Sequence, residues 1–139
     1  MSNRHKAREA AVQSIYQWDM MGCPVNDLNS EFMEDMQRNE LDQTYLKTVL
    51  QGVASNQELI EKAIRPFIDR DFAKVDPIER SILRLGVYEL LFHRDVPAKV
   101  ILNESIELAK TFGSDHSYKF INGTMDKLAQ EKSVVALRS

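Results

Sequence analysis

The chain of 139 residues has little of what several common protein classes require. It has one cysteine, Cys23, which cannot close an internal disulfide, so nothing points to a disulfide-stapled secreted scaffold. Five glycines and four prolines are too few for a sandwich or barrel rich in tight turns. The glycines are also scattered, whereas phosphate loops and dinucleotide folds cluster them after a strand. Zinc needs grouped Cys and His. Cys23 stands alone, and His5, His93 and His116 have no ligand spacing. No apolar run is long enough to cross a bilayer, because Arg84 and Glu89 interrupt the best candidate. The opening Met-Ser-Asn-Arg-His-Lys has no apolar stretch behind its charges and does not read as a signal peptide. Carboxylate pairs such as Glu104 and Glu107 read as a solvated helix face. The expectation is a cytoplasmic protein with no catalytic group, no metal and no cofactor.

What is present is helical. Hydrophobic residues make up 43% and charged residues 28%, an ordinary globular mixture. Ala7, Ala11, Ser14, Ile15, Trp18 and Met21 recur at the spacing of one helix face, which predicts a helix from about Arg4 to Met21, stopped by Gly22 and Pro24. A short helix is predicted over about 27–37. A longer, broken one is predicted over about 42–69, with Ser55 to Glu58 as an internal capping box and Pro66 as a second disturbance. Asp76-Pro77-Ile78-Glu79 is the clearest start signal: Asp caps, Pro takes the first helical position and Glu follows three residues after the cap. That helix reaches about His93. Pro97 opens the next, which ends near Gly113. Ser114 or Asp115 is expected to cap the last, which runs to about Lys132 before a loose tail. The fold class is all-α: two small helical bundles of about three helices each, about 1–70 and 71–139, with the seam near 70–76.

The helix from Ile78 to His93 is apolar nearly all round, so it belongs at the centre. Glu89 lies on its buried side and must be paired internally or sit at an interface, because an unpaired buried charge costs several kcal/mol, on the order of a whole stability margin.

Two surfaces suit a partner. The net charge is −3, yet Arg4, His5, Lys6 and Arg8 form a basic tip. From Asp19 to Asp42, seven acids face the single base Arg38. Such a dipole orients a polyanion at one end, or is plain solvation. On the last predicted helix, Tyr118, Ile121, Met125 and Leu128 form the core stripe. His116, Lys119, Phe120, Gly123 and Lys127 fall toward another side. An aromatic ring among lysines suits single-stranded RNA, where the base stacks and the lysines hold phosphate. The plain alternative is that Phe120 packs on another helix. Trp18 reads as core, and Tyr16, off that stripe, as a candidate contact for a protein partner.

The run Asp95 to Gly113 (DVPAKVILNESIELAKTFG), followed by Lys119-Phe120-Ile121-Asn122-Gly123, resembles the signature region of the NusB family of bacterial transcription antitermination factors. Arg8 to Tyr16 resembles that family's first helix, and Glu79 to Arg84 its central helix. The likeness runs in order through essentially the whole chain. It implies an all-helical fold, no enzymatic activity, and pairing with NusE, a small-subunit ribosomal protein. It also implies binding to the boxA element of nascent RNA and joining the antitermination complex on RNA polymerase. The family's RNA-binding residues map onto the arm from Arg4 to Arg8 and onto Phe120 with neighbours such as Asn122. Its NusE-facing residues map near Tyr16 and Glu79. The arm here interposes His5 and Ala7 where the family often has a denser arginine cluster. Arm and ring are expected to lie side by side. Stacking then supplies roughly 1–3 kcal/mol, and about three phosphate contacts give a salt slope of roughly −2. The rival reading is a helical protein-interaction module with no RNA role, which has no preference for boxA over scrambled RNA.

Overall fold

The structure is a computed structural model and describes residues 3–22 and 42–139. The helix predicted over 27–37, Cys23 and most of the acidic flank lie outside the described residues. Seven α-helices are described: α1 (Asn3–Met21), α2 (Gln43–Ser55), α3 (Gln57–Ile64), α4 (Pro77–Phe92), α5 (Ala98–Phe112), α6 (Ser117–Gln130) and α7 (Lys132–Arg138). Two single 3-10 turns, Arg65–Phe67 and Phe72–Lys74, lead from α3 to α4.

The start of α4 follows its sequence signal. The Asp76 carboxylate accepts from the backbone N–H groups of Ile78 and Glu79 at 2.9 and 3.3 Å, and Pro77 fills the first position, where an N–H has no helical partner. Ser81 to Leu90 are all buried, and α1, α3, α5 and α6 pack round this helix. One apolar cluster runs from Ala7, Ile15 and Leu46 through Ile82 and Leu90 to Ile121 and Leu128, continuous across residues 70–76. Two close approaches fix the packing. A Cβ on Gly52 would run into the Tyr88 ring, and one on Gly86 would lie 2.7 Å from Met125 and 2.8 Å from Ser105. Only hydrogen at those positions lets α2 and α6 seat against α4.

Several boundaries differ from the sequence reading. The break between α2 and α3 falls at Asn56, whose side chain turns back to the Gly52 carbonyl at 2.8 Å. That closes α2, and Ser55 caps nothing. The last long helix starts at Ser117 without a side-chain cap. Ser114 instead donates its N–H to the Ser117 hydroxyl at 3.0 Å. It ends at Gln130, because Glu131 accepts from the N–H groups of Ser133 and Val134 and begins α7. The tail is therefore helical. Arg138 anchors it by donating to the Leu90 carbonyl, in the last turn of α4, at 2.9 Å and to that of Val96 in the loop that follows. Met21 is 73% exposed and Tyr118 38% exposed, so neither belongs to the core. Trp18 is half-buried at its margin.

Candidate nucleic-acid interface

Helix α1 runs antiparallel to α4. Near its C-terminal end Asp19 meets Arg80 at 2.7 Å and Arg84 at 3.2 Å, and near its N-terminal end Arg8 meets Glu89 at 2.9 Å. The one described acid at the start of the acidic flank is thus committed to two arginines. Asp42, at its far end, accepts from the Tyr45 N–H and caps α2.

Arg8 is a correction. It stands on the buried face of α1, 3% exposed, and not in a solvent-facing arm. Its Nε and Nη2 donate to the two carboxylate oxygens of Glu89, each at 2.9 Å, and the Tyr45 hydroxyl donates to Glu89 Oε2. Burial alone would lower the Arg8 pKa. The hydrogen bonds and charge of Glu89 more than offset it, and the guanidinium is held protonated. Burial, followed by the Glu89 charge, pushes the Tyr45 hydroxyl up and keeps it a donor. Glu89, 1% exposed, is the internal half of this pair and offers no surface to a partner. Glu79 is also internal at 9% exposure. Its carboxylate accepts from the Ser117 hydroxyl at 2.7 Å and ties α6 to α4.

The remaining arm is more engaged than its sequence suggested. His5 Nδ1 lies 2.6 Å from Glu104 on α5, and Nε2 lies 3.5 Å from Glu9. Arg4 is exposed, stands 4.5 Å over the Tyr45 ring, and approaches Asp42 and Asp95 at 3.9 Å. Lys6 is half-buried. Tyr16 is half-buried on α1.

On α6, His116, Lys119, Asn122 and Lys127 are exposed and Phe120 is half-buried against the core. A Cβ on Gly123 would meet nothing, so the helix surface beside Phe120 is open. The guanidinium of Arg70 lies 5.1 Å over the Phe120 ring.

Arm and ring do not adjoin. Ser117 sits at Glu79 and Met125 at Gly86, so α6 runs alongside α4 and Phe120 is level with the first half of α4. The arm is beyond Glu89, which helical rise places about 15 Å along the axis from Glu79. The cause is the antiparallel seating of α1, which carries its N-terminus away from Phe120.

Sequence reasoning missed Arg65, Arg70, Arg80 and Arg84. With Asp19, Glu61 and Asp71 they line a cavity of about 560 Å³ between α1, α3 and α4. The Arg84 guanidinium is held between the rings of Trp18 and Phe72, 5.2 and 5.0 Å from their centroids, and Nη2 donates to Glu61 at 3.1 Å. Its Nη1 faces Asp19 as an ion pair without hydrogen-bond geometry. The spacing Arg80–Arg84, one helical turn on an otherwise apolar helix, was a signal for a charged seam.

A helical scaffold that presents cationic and aromatic side chains on its surface has the form of a macromolecule-binding protein. The model of the NusB family matches residues 5–130, and the chain belongs to the NusB family. The transcription antitermination protein NusB of Shewanella frigidimarina is 46% identical over 131 residues, covering 94% of this chain and 98% of that protein. The corresponding protein of Actinobacillus pleuropneumoniae is 48% identical over 129 residues, covering 93% and 94%. Among solved structures, NusB of T. maritima superposes with a TM-score of 0.78 at 27% identity, covering 96% of each chain. A chain from a crystal structure of the antitermination factors NusB and NusE in complex with double-stranded RNA superposes with a TM-score of 0.78 at 25% identity, covering 91% and 95%.

Proposed function

We propose that this chain is a transcription antitermination factor: a non-catalytic, cytoplasmic RNA-binding protein. Paired with NusE, it binds boxA-type single-stranded RNA and helps RNA polymerase resist termination. The observation that carries the reading is the family match from residue 5 to residue 130. The fold shared with a chain solved with NusE and double-stranded RNA supports a NusE-type partner and an RNA ligand.

Phe120 stacks a base, and His116, Lys119, Asn122 and Lys127 border it on the exposed side of α6. Arg4 and Lys6 contact phosphate at the far end of α4, while His5, held by Glu104 and Glu9, and Arg8, held by Glu89, fix that arm from inside. An RNA that touches both ends is extended over several nucleotides. Tyr16 meets the NusE-type partner. Glu79 acts there indirectly, by fixing α6 through Ser117. Residues to about 70 and from about 71 form the two bundles, with α4 as their common axis.

Fluorescence anisotropy with boxA-containing leader RNA and a scrambled control tests this. Binding should favour boxA and tighten when NusE is added, since a second RNA-binding subunit raises the effective concentration. Equal, feeble binding to both RNAs would sink the RNA reading and leave the protein-interaction module. Calorimetry with Tyr16→Asp should show weakened NusE affinity in a folded protein.

A further inference from the structure

The strongest concentration of guanidinium groups in the described structure is neither the N-terminal arm nor α6. It is the cavity of about 560 Å³ beside α3 and α4, where Arg65, Arg70, Arg80 and Arg84 face Asp19, Glu61 and Asp71. The arginines outnumber the carboxylates, so the lining carries an excess positive charge. The inner and outer arginines differ. Arg80 is fixed by Asp19 at 2.7 Å and by the Val75 carbonyl at 2.9 Å, and Arg84 by Glu61 at 3.1 Å. These two build a rigid wall. Arg65 and Arg70 stand in solvent. Arg65 reaches Glu61 at 3.5 Å, and Glu61 keeps Arg84 when Arg65 leaves. Arg70 pairs with its exposed neighbour Asp69 at 2.7 Å. Exposed pairs of this kind are weak and release readily.

Arg70 also covers the Phe120 ring at 5.1 Å. A base cannot stack on that face while the guanidinium is there. The exchange is favourable, because an exposed cation–π contact is weaker than base–aromatic stacking. The displaced guanidinium remains beside the cavity.

We propose that this cavity is a phosphodiester subsite for the RNA that stacks on Phe120. Arg70 leaves the ring as the base arrives and takes that nucleotide's phosphate, with Arg65 beside it and Arg80 as the wall. The inference rests on the RNA reading above and adds a site to it. A nucleotide carries a planar base and an anion a few ångströms apart, which is what a ring next to mobile guanidiniums matches. A partner carboxylate would use the arginines and leave the ring without a role.

The test is a salt series of anisotropy titrations with labelled boxA-containing single-stranded RNA. It compares the full-length wild type, Arg70→Ala, Arg65→Ala/Arg70→Ala and Phe120→Ala, with melting curves as fold controls. Each lost phosphate contact should flatten the slope of log affinity against log salt by about 0.7, so the double variant flattens it by about 1.4. Phe120→Ala should lose about tenfold in affinity with the slope kept. If the arginine variants keep the wild-type slope while Phe120→Ala still weakens binding, the subsite is wrong and the RNA reading stands. Absence of RNA binding by the wild type overturns both. Loss of NusE affinity with an unchanged RNA slope assigns the cavity to a protein carboxylate and overturns the proposal. So does saturable binding of 5′-AMP that disappears in the same variants while their RNA slope is kept.

Discussion

At the C-terminal end of α4, Arg8 is sealed between Glu89 and Tyr45. At the N-terminal end, Arg65 and Arg70 stand in solvent on carboxylates that are themselves exposed or shared. The side chain is the same, and the surroundings decide its task. A guanidinium taken out of water must be matched in full, so Arg8 receives a bidentate carboxylate and serves the fold. One left in water pairs weakly and can be handed to an incoming phosphate. The contrast also separates Arg8, consumed by the fold, from Arg65 and Arg70, which stay exposed.

The sharpest way to break this comparison is Arg8→Ala. It leaves Glu89 buried and uncompensated, and should cost roughly 3–5 kcal/mol in urea unfolding. A variant that keeps its stability and loses only RNA affinity would return Arg8 to the arm. Next in size, Phe120→Ala should weaken RNA binding by roughly 1–3 kcal/mol, measured by anisotropy on protein that melts as a single transition. Full RNA affinity would remove the ring from the interface. Arg138→Ala, which frees carbonyls at the end of α4 and just after it and detaches α7, should cost about 1–2 kcal/mol and speed amide exchange in α7. Exchange as slow as in the wild type would show that α7 stays without its anchor.

The smallest effect sharpens the chemistry of the buried end. Tyr45 titrates above its ordinary value of 10.0 in the folded state, so the folded protein keeps a proton that the unfolded chain loses. The stabilising contribution is present below pH 10 and declines as pH rises beyond it. Tyr88 is shifted in the same direction by burial and by the Glu89 charge. Unfolding measured between about pH 9 and 11 should show a steeper loss in the wild type than in Tyr45→Phe. Identical slopes would remove Tyr45 as the source.

Legibility differed by kind of signal. The start of α4 was readable because Asp76 and Pro77 act on neighbours within one turn. The start of α7 was missed, although Glu131 caps in the same way, because Lys132 and Ser133 looked like the end of a helix and no apolar period marked what followed. Tyr118 fell on the spacing of Ile121 and Met125 and is still exposed. The period names a face but not how far the neighbouring helix reaches along it. Arg80 and Arg84 were in plain view one turn apart, but Asp19, which meets both, lies on another helix.

Helical content, the caps that obey local rules and the family likeness were all present in the order of residues, since each depends on contacts between near neighbours or on a linear pattern. Which arginines are consumed and which remain available came only with the packing of α1 against α4. That choice rests on desolvation and on partners far apart along the chain, such as Arg8 with Glu89 and Arg70 with Phe120. No local pattern encodes either.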